Sequence, residues 1–392
     1  MTAPAAELVA RVGELEAELI AVRRDLHAHP ELSGQEVRTT ELVADRLRKA
    51  GLDPGVLPGG VGLLCDVGLG SGPLTALRAD LDALPLPDLK DVPYRSTVEG
   101  VAHACGHDVH TATVLGAGLV LADLAAAGSF TGRVRLVFQP AEEVLPGGAL
   151  DVIRAGGLTE VSRILALHCD PRLTVGQIGL LAGPITAASD RVVVRLSGAG
   201  GHSARPHLTG DLIHALGTVI NQTPAALSRR VDPRSGLSLV WGRVAAGSAA
   251  NVIPRDGVIE GSLRCLHPAA WAVAPDLVTE IVTALVVPYQ VQAAVDVVRG
   301  VPPCVNESES VRVLGEAAMR ALGPAAVAGT EQSLGGEDFA WYLQQVPGAL
   351  ARLGVARPGE EGTLDLHRSE FDVDERAIGI GVRLLVAAVL GA

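Results

Sequence analysis

Lysine is nearly missing from this chain: Lys49 and Lys90 stand beside thirty arginines in 392 residues. Aromatic residues are also scarce, at 3%. With a net charge of −12 and no basic block, nothing resembles the clustered cations and stacking rings that hold nucleic acid, so no nucleic-acid partner is expected. The lysine shortage itself is a compositional bias. Cysteine is sparse as well. Cys65, Cys105, Cys169, Cys265 and Cys304 are scattered, odd in number and without a CxxC pair. That excludes a disulfide framework and fits reduced thiols. No uninterrupted apolar run reaches the ~18–20 residues that span a bilayer. The most apolar stretch, TATVLGAGLVLADLAAAG, is broken by Asp123. The opening segment lacks a basic stretch followed by an apolar one and reads as an amphipathic helix. No membrane partner and a cytoplasmic location are the expectations.

What is present is apolar residue in quantity, 48%, in a chain too long for one typical core. Short runs at 61–66, 74–79, 133–139 and 163–168 read as buried strands, with a helix over 109–127 between them. Strands alternating with helices predict an α/β layer built on a central mixed sheet flanked by helices. Near residue 186 the pattern changes. Strand 191–197, helix 210–230, strands near 237–244 and 257–264, helix 269–287 and strand 291–298 spell β-α-β-β-α-β, the ferredoxin-like order. The expected organisation is a discontinuous larger domain, 1–186 and 302–392, with a small domain inserted at 187–301.

The histidines and remaining cysteines gather in motifs. In HACGHDVHTA (103–112), His103, Cys105 and His107 share one side only if the segment is extended and the helix starts after them. A thiolate and an imidazole on one side make half of a metal site; a buried free cysteine among loop histidines is the bland alternative. FQPAEE places Glu142 and Glu143 just past a buried strand, where open α/β sheets form their crevices. Adjacent carboxylates diverge, so one can bind metal while the other serves as a base. His168 in LALHCDP and His367 in TLDLHRSEF stand at further element ends. Cys105, His107, Glu143, His168 and His367 are more donors than one tetrahedral ion uses and suit two ions sharing a thiolate bridge. The GAGGHS turn makes no nucleotide loop, because no βαβ unit encloses it.

The run RRDLHAHPELS, RADLDALP, HACGHDVHTA, FQPAEE, LHCDP, GGHSARPH, NVIP, GGEDFA and LHRSEFDVDE, spread over residues 23–376, resembles one known group. It is similar to the amidohydrolase branch of the aminoacylase/carboxypeptidase metallopeptidase family 20. That branch includes hippurate hydrolases, N-acyl-L-amino-acid amidohydrolases and auxin-conjugate hydrolases. The resemblance implies two divalent cations per subunit, zinc first, with manganese, cobalt or nickel as other occupants. It makes Cys105 the bridge, His107, Glu143, His168 and His367 the other ligands, and Glu142 the general base; it leaves His103 and His110 out of the ligand set. It further implies His202 as an oxyanion donor on the inserted domain, Asn251 and Arg264 as holders of the substrate carboxylate, and Asp80 and Asp82 as groups that orient ligands. The larger domain becomes catalytic and the inserted one a lid through which a homodimer forms. The implied reaction is hydrolysis of the amide of a small N-acyl amino acid. A dipeptidase, an N-acetyl-diaminopimelate-type deacetylase and a non-catalytic metal-binding protein are the alternatives. Gly34, Cys169 and a FQPAEEVLPGGA loop one residue longer depart from the usual pattern without touching a ligand.

Overall fold

In the computed structural model, which describes residues 3–391 except 69 and 71, the buried runs assemble into one mixed sheet of eight strands. Leu74–Asp80 lies between Arg133–Gln139 and Val161–Thr174, parallel to both, and Gly348–Ala356 adds in parallel beyond Val161–Thr174. On the other side Leu63–Val67 runs antiparallel to Arg133–Gln139, and the short strand Gly55–Val56 forms the edge beyond it. Parallel strands are covered on both faces, which is why Leu74–Asp80 and Gly348–Ala356 are buried at every position. The helices Ala3–Ala28, His107–Ala126, Ser308–Leu322 and Arg376–Leu390 provide much of that cover. The fold is α/β, as expected.

Two boundaries differ from the sequence reading in ways that matter. The helix expected at 109–127 begins at His107. Gly106, at φ +89°, makes the turn that lets Cys105 stay in the loop while His107 opens the helix. The strand expected to stop at His168 runs on to Thr174, so His168 projects from within a strand, opposite Arg352.

Two compact units divide the chain. One comprises 1–183, 305–331 and 341–392; the other comprises 184–304 and 332–340. The second has the sheet order Ser238–Ala246, Asp256–Cys265, Ala188–Ser197, Gln292–Val301, all antiparallel, with helices Leu212–Arg230 and Pro268–Val286 packed over its own apolar cluster. This is the inserted βαββαβ arrangement. It carries an addition that periodicity did not reveal, a two-stranded ribbon of Gly201–His202 and Val252–Ile253. Segment 332–340 joins this unit through Ser333, which exchanges backbone hydrogen bonds with Ile185 and Ala187. Helices 107–126 and 268–289 have the length and mean hydropathy to cross a membrane, although neither is an unbroken apolar run. The first is a buried core helix, and the second carries Glu280, paired with Arg230.

Candidate metal centre

The carboxyl ends of the central strands deliver the expected donors to one place. Asp80 ends one strand, and Asp82 lies two residues past it. Glu142 and Glu143 follow Gln139 by way of Pro140. His107 opens the core helix, and His168 projects from the next strand. The ligating atoms of Cys105, His107 and His168 lie within 4.8 Å of one another, and so do those of Cys105, Glu143 and His367. Cys105 belongs to both sets. Its Sγ is 3.6 Å from His168 Nε2. His367 Nε2 is 3.3 Å from Glu143 Oε1, and His107 Nε2 is 3.8 Å from the same oxygen.

Backbone carbonyls set the tautomers. His107 Nδ1 donates to Asp82 O at 2.8 Å, and His168 Nδ1 donates to Cys169 O at 2.8 Å. Each ring therefore turns the Nε2 lone pair inward, the arrangement metal-binding imidazoles adopt. The Asp82 carboxylate takes the Glu143 N–H at 2.9 Å and the Ser33 hydroxyl at 2.6 Å, so this residue steadies His107 through its carbonyl and Glu143 through its side chain. His367 sits at φ +62°, in the left-handed region, with its N–H on Ala104 O at 2.8 Å. That strain ties the His367 loop to the residue before Cys105.

Without a cation this cluster is electrostatically unsettled. Burial, then Glu143, pushes the Cys105 thiol well above its ordinary range. Burial alone would lower His107, but Asp80 and Cys105 hold it well above its usual value. Burial, then Arg352, pulls His168 well below its own. His107 Nε2 and Glu143 Oε1 are buried with no hydrogen-bond partner among the described residues. Buried polar atoms left without partners beside a thiol and further imidazoles are costly unless a cation satisfies them. The donor set of thiolate, imidazole and carboxylate therefore fits divalent metal, borderline-soft ions such as zinc included.

Two neighbouring histidines differ. His110 spends both nitrogens on protein, Nδ1 on Asp80 at 2.6 Å and Nε2 accepting the Cys169 N–H at 2.8 Å. His103 is buried and belongs to no donor group among the described residues; burial lowers it to about 3.

In the second unit, His202 is exposed on the ribbon, and its Nδ1 accepts the Ala204 N–H at 3.1 Å. Asn251 adjoins it, its carbonyl taking the Ser203 N–H at 3.1 Å. Arg264 lies at the other end of the sheet, paired in register with Ser189 and Ser238. The eight residue steps from 256 to 264 put roughly 26 Å of strand between the two ends. Within one copy, then, Asn251 and Arg264 do not converge on one carboxylate, and Asn251 groups with His202. Arg264 is half-buried, and its guanidinium makes no hydrogen bond or ion pair among the described residues.

The sequence profile of peptidase family M20/M25/M40 matches residues 76–391. The chain belongs to that family. An N-acetyl-L-cysteine deacetylase of Bacillus subtilis is 37% identical over 365 residues, covering 93% of this chain and 85% of the relative. A protein of Rhodococcus jostii named putative glutamate–cysteine ligase 2-3 is 51% identical over 372 residues, 95% of this chain, which spans only 46% of that protein's length. Among solved structures, a dinuclear metal-binding peptidase of family M20 from Bacillus subtilis superposes with a TM-score of 0.84 at 34% identity, covering 97% of this chain and 98% of that one. As a member of this family, the chain is a metal-dependent hydrolase.

For this family member, several supporting side chains escaped sequence reading. Arg78, fully buried, binds Asp80 at 2.6 Å and Gln139 at 2.9 Å, and Tyr342 donates to Gln139 at 3.0 Å. They tie the end of one strand to the base of the Glu142 loop. An arginine inside an otherwise apolar strand was the available signal. Arg23, also buried, bonds Asp108 at 2.7 Å and so locks the first helix to the turn that bears His107.

Proposed function

We propose that the protein hydrolyses the amide bond of small N-acyl amino acids, releasing a carboxylic acid and the free amino acid. The observation that carries this is Cys105 shared between two donor sets, with Glu142 beside them and Glu142 Oε2 at 4.0 Å from His107 Nε2. Cys105, His107, Glu143, His168 and His367 would hold two cations. When bound, these would acidify water toward neutrality and offset negative charge on the scissile carbonyl. Glu142 takes the proton from the attacking water and gives it to the leaving nitrogen, so the base ends as it began. His202 donates to the oxyanion. Its Nδ1 is spent as an acceptor, which leaves Nε2–H to point outward. Because His202 and Asn251 lie at one end of the lid sheet and Arg264 at the other, we assign the pair to a neighbouring copy's active site within a homodimer. Arg264 serves its own copy, its unpaired guanidinium receiving the substrate carboxylate. Residues 184–304 act as the lid and dimerisation domain. With no disulfide among the described residues, the scattered cysteines favour a reducing compartment, the cytoplasm. The name of the Bacillus subtilis deacetylase makes N-acetylcysteine the first substrate to try.

The test is amino-acid release from N-acetyl- and N-benzoyl-amino acids, N-acetylcysteine and dipeptides. Chelator-stripped protein is compared with protein reloaded with zinc, manganese, cobalt or nickel. Metal-restored cleavage of acylated substrates is expected. Cleavage of dipeptides alone would move the reading to a dipeptidase. No cleavage with two metals bound would overturn it.

A further inference from the structure

Glu36 occupies the N-cap position of helix Val37–Lys49, yet its side chain makes no cap hydrogen bond. Glutamate is poorly suited to that position, and this one serves another part of the chain. Its carboxylate is fully buried, and Oε1 accepts the Gly34 N–H at 2.9 Å and the Ala141 N–H at 2.8 Å, the latter 105 positions away. Oε2 is buried with no hydrogen-bond partner among the described residues. Ala141 directly precedes Glu142 and stands at φ +55°, where a residue with a Cβ is strained. Its carbonyl accepts the Gly148 N–H at 2.9 Å. A Cβ on Gly148 would come within 2.0 Å of Pro140 O, so the loop closes too tightly for other residues there.

We propose that Glu36 is a positioning residue for the general base: by holding the Ala141 N–H it keeps that residue left-handed and sets the direction in which Glu142 leaves the loop. The proposal rests on the reading of Glu142 as base. Without the acceptor, the half-buried Ala141 N–H loses its partner, and the strained residue is free to relax to negative φ. Glu143 has its own anchor, its N–H on Asp82. The effect therefore falls on the base and spares the metal-binding half of the pair. Acceptor geometry, not charge, carries the role. Burial lifts the Glu36 carboxyl to about 7, and a neutral acid still accepts both amides through its carbonyl oxygen.

The experiment compares wild type, Glu36→Ala and Glu36→Gln as full-length, metal-loaded proteins. It measures kcat, KM, metal per subunit and hydrogen exchange of the Ala141 amide. Glu36→Ala is expected to lower kcat by roughly 100-fold, the scale of an ångström of misplacement, with KM and metal content unchanged. Exchange at Ala141 should quicken. Glu36→Gln should restore both kcat and slow exchange. Should Glu36→Ala not fold, Glu36→Asp, which withdraws the oxygens by one methylene, is expected to show the same split in smaller measure. Unchanged kcat in Glu36→Ala, a kcat loss that merely tracks lost metal, or a glutamine variant as slow as alanine would each overturn the proposal. If the wild type cleaves nothing, the reading of Glu142 fails, while slow exchange at Ala141 that ignores the Glu36 substitutions separately refutes the clamp.

Discussion

Glu142 and Glu143 are consecutive, chemically identical residues in different surroundings, and the proposed function gives them different work. Glu143 is held by Asp82 and faces Cys105 and His367, whereas Glu142 hangs from the strained Ala141. Glu142→Gln should therefore retain both metals and lose about 10²–10⁴-fold in kcat, the usual worth of a positioned acid–base group. Elemental analysis beside steady-state kinetics checks both halves. Glu36 adds a pH signature to stability. Burial raises its folded-state pKa from the usual 4.5 to about 7, with Asp82 adding to the rise and the Gly34 and Ala141 amides opposing it. Between those values the folded chain holds a proton that the unfolded chain has released. Stability from this group is thus full below pH 4.5 and is lost as pH rises through about 7. Urea unfolding of metal-free protein should show the wild type falling relative to Glu36→Gln across that window. A constant difference would contradict the assignment.

At the scale of the element, the turn into the core helix decides whether Cys105 and His107 can meet. Gly106 has φ +89°, and a Cβ there would lie 2.7 Å from Cys169 Sγ. Gly106→Ala combines backbone strain with overpacking and should cost on the order of 1–3 kcal/mol. It should also lower metal occupancy, because it displaces Cys105 from one side and His168, next to Cys169, from the other. A denaturation midpoint and metal analysis test this; full occupancy with unchanged stability would refute it. Strand positions were legible beforehand, since a run such as RVRLVFQ shows its period within seven residues and is the strand Arg133–Gln139. The helix start was misplaced by two residues. The sequence signal there is the glycine, whose left-handed turn lets His107 open the helix while Cys105 stays in the loop.

For the whole molecule, the proposed assignment of His202 to a neighbouring copy makes cooperation between copies the property to test. His202 and Asn251 sit together on the ribbon, and Arg264 stands at the far end of the same sheet. If His202 serves its neighbour, mixing inactive His202→Ala with inactive Glu142→Gln should rebuild one complete centre per mixed dimer. About half the activity per mixed dimer is expected, since one of two sites is whole. Verified mixed dimers with no activity would assign His202 to its own chain.

Much of the chemistry was present in the one-dimensional pattern. Donor types, the strands that end beside them and the βαββαβ insertion all leave marks within a few residues, because backbone period and side-chain chemistry are local properties. What only the tertiary structure decided is non-local. It spent His110 on Asp80 and Cys169, separated Asn251 from Arg264 and brought Glu36 to Ala141. No period links positions 105 residues apart. Such contacts exist because buried polar groups must find partners wherever packing has placed them.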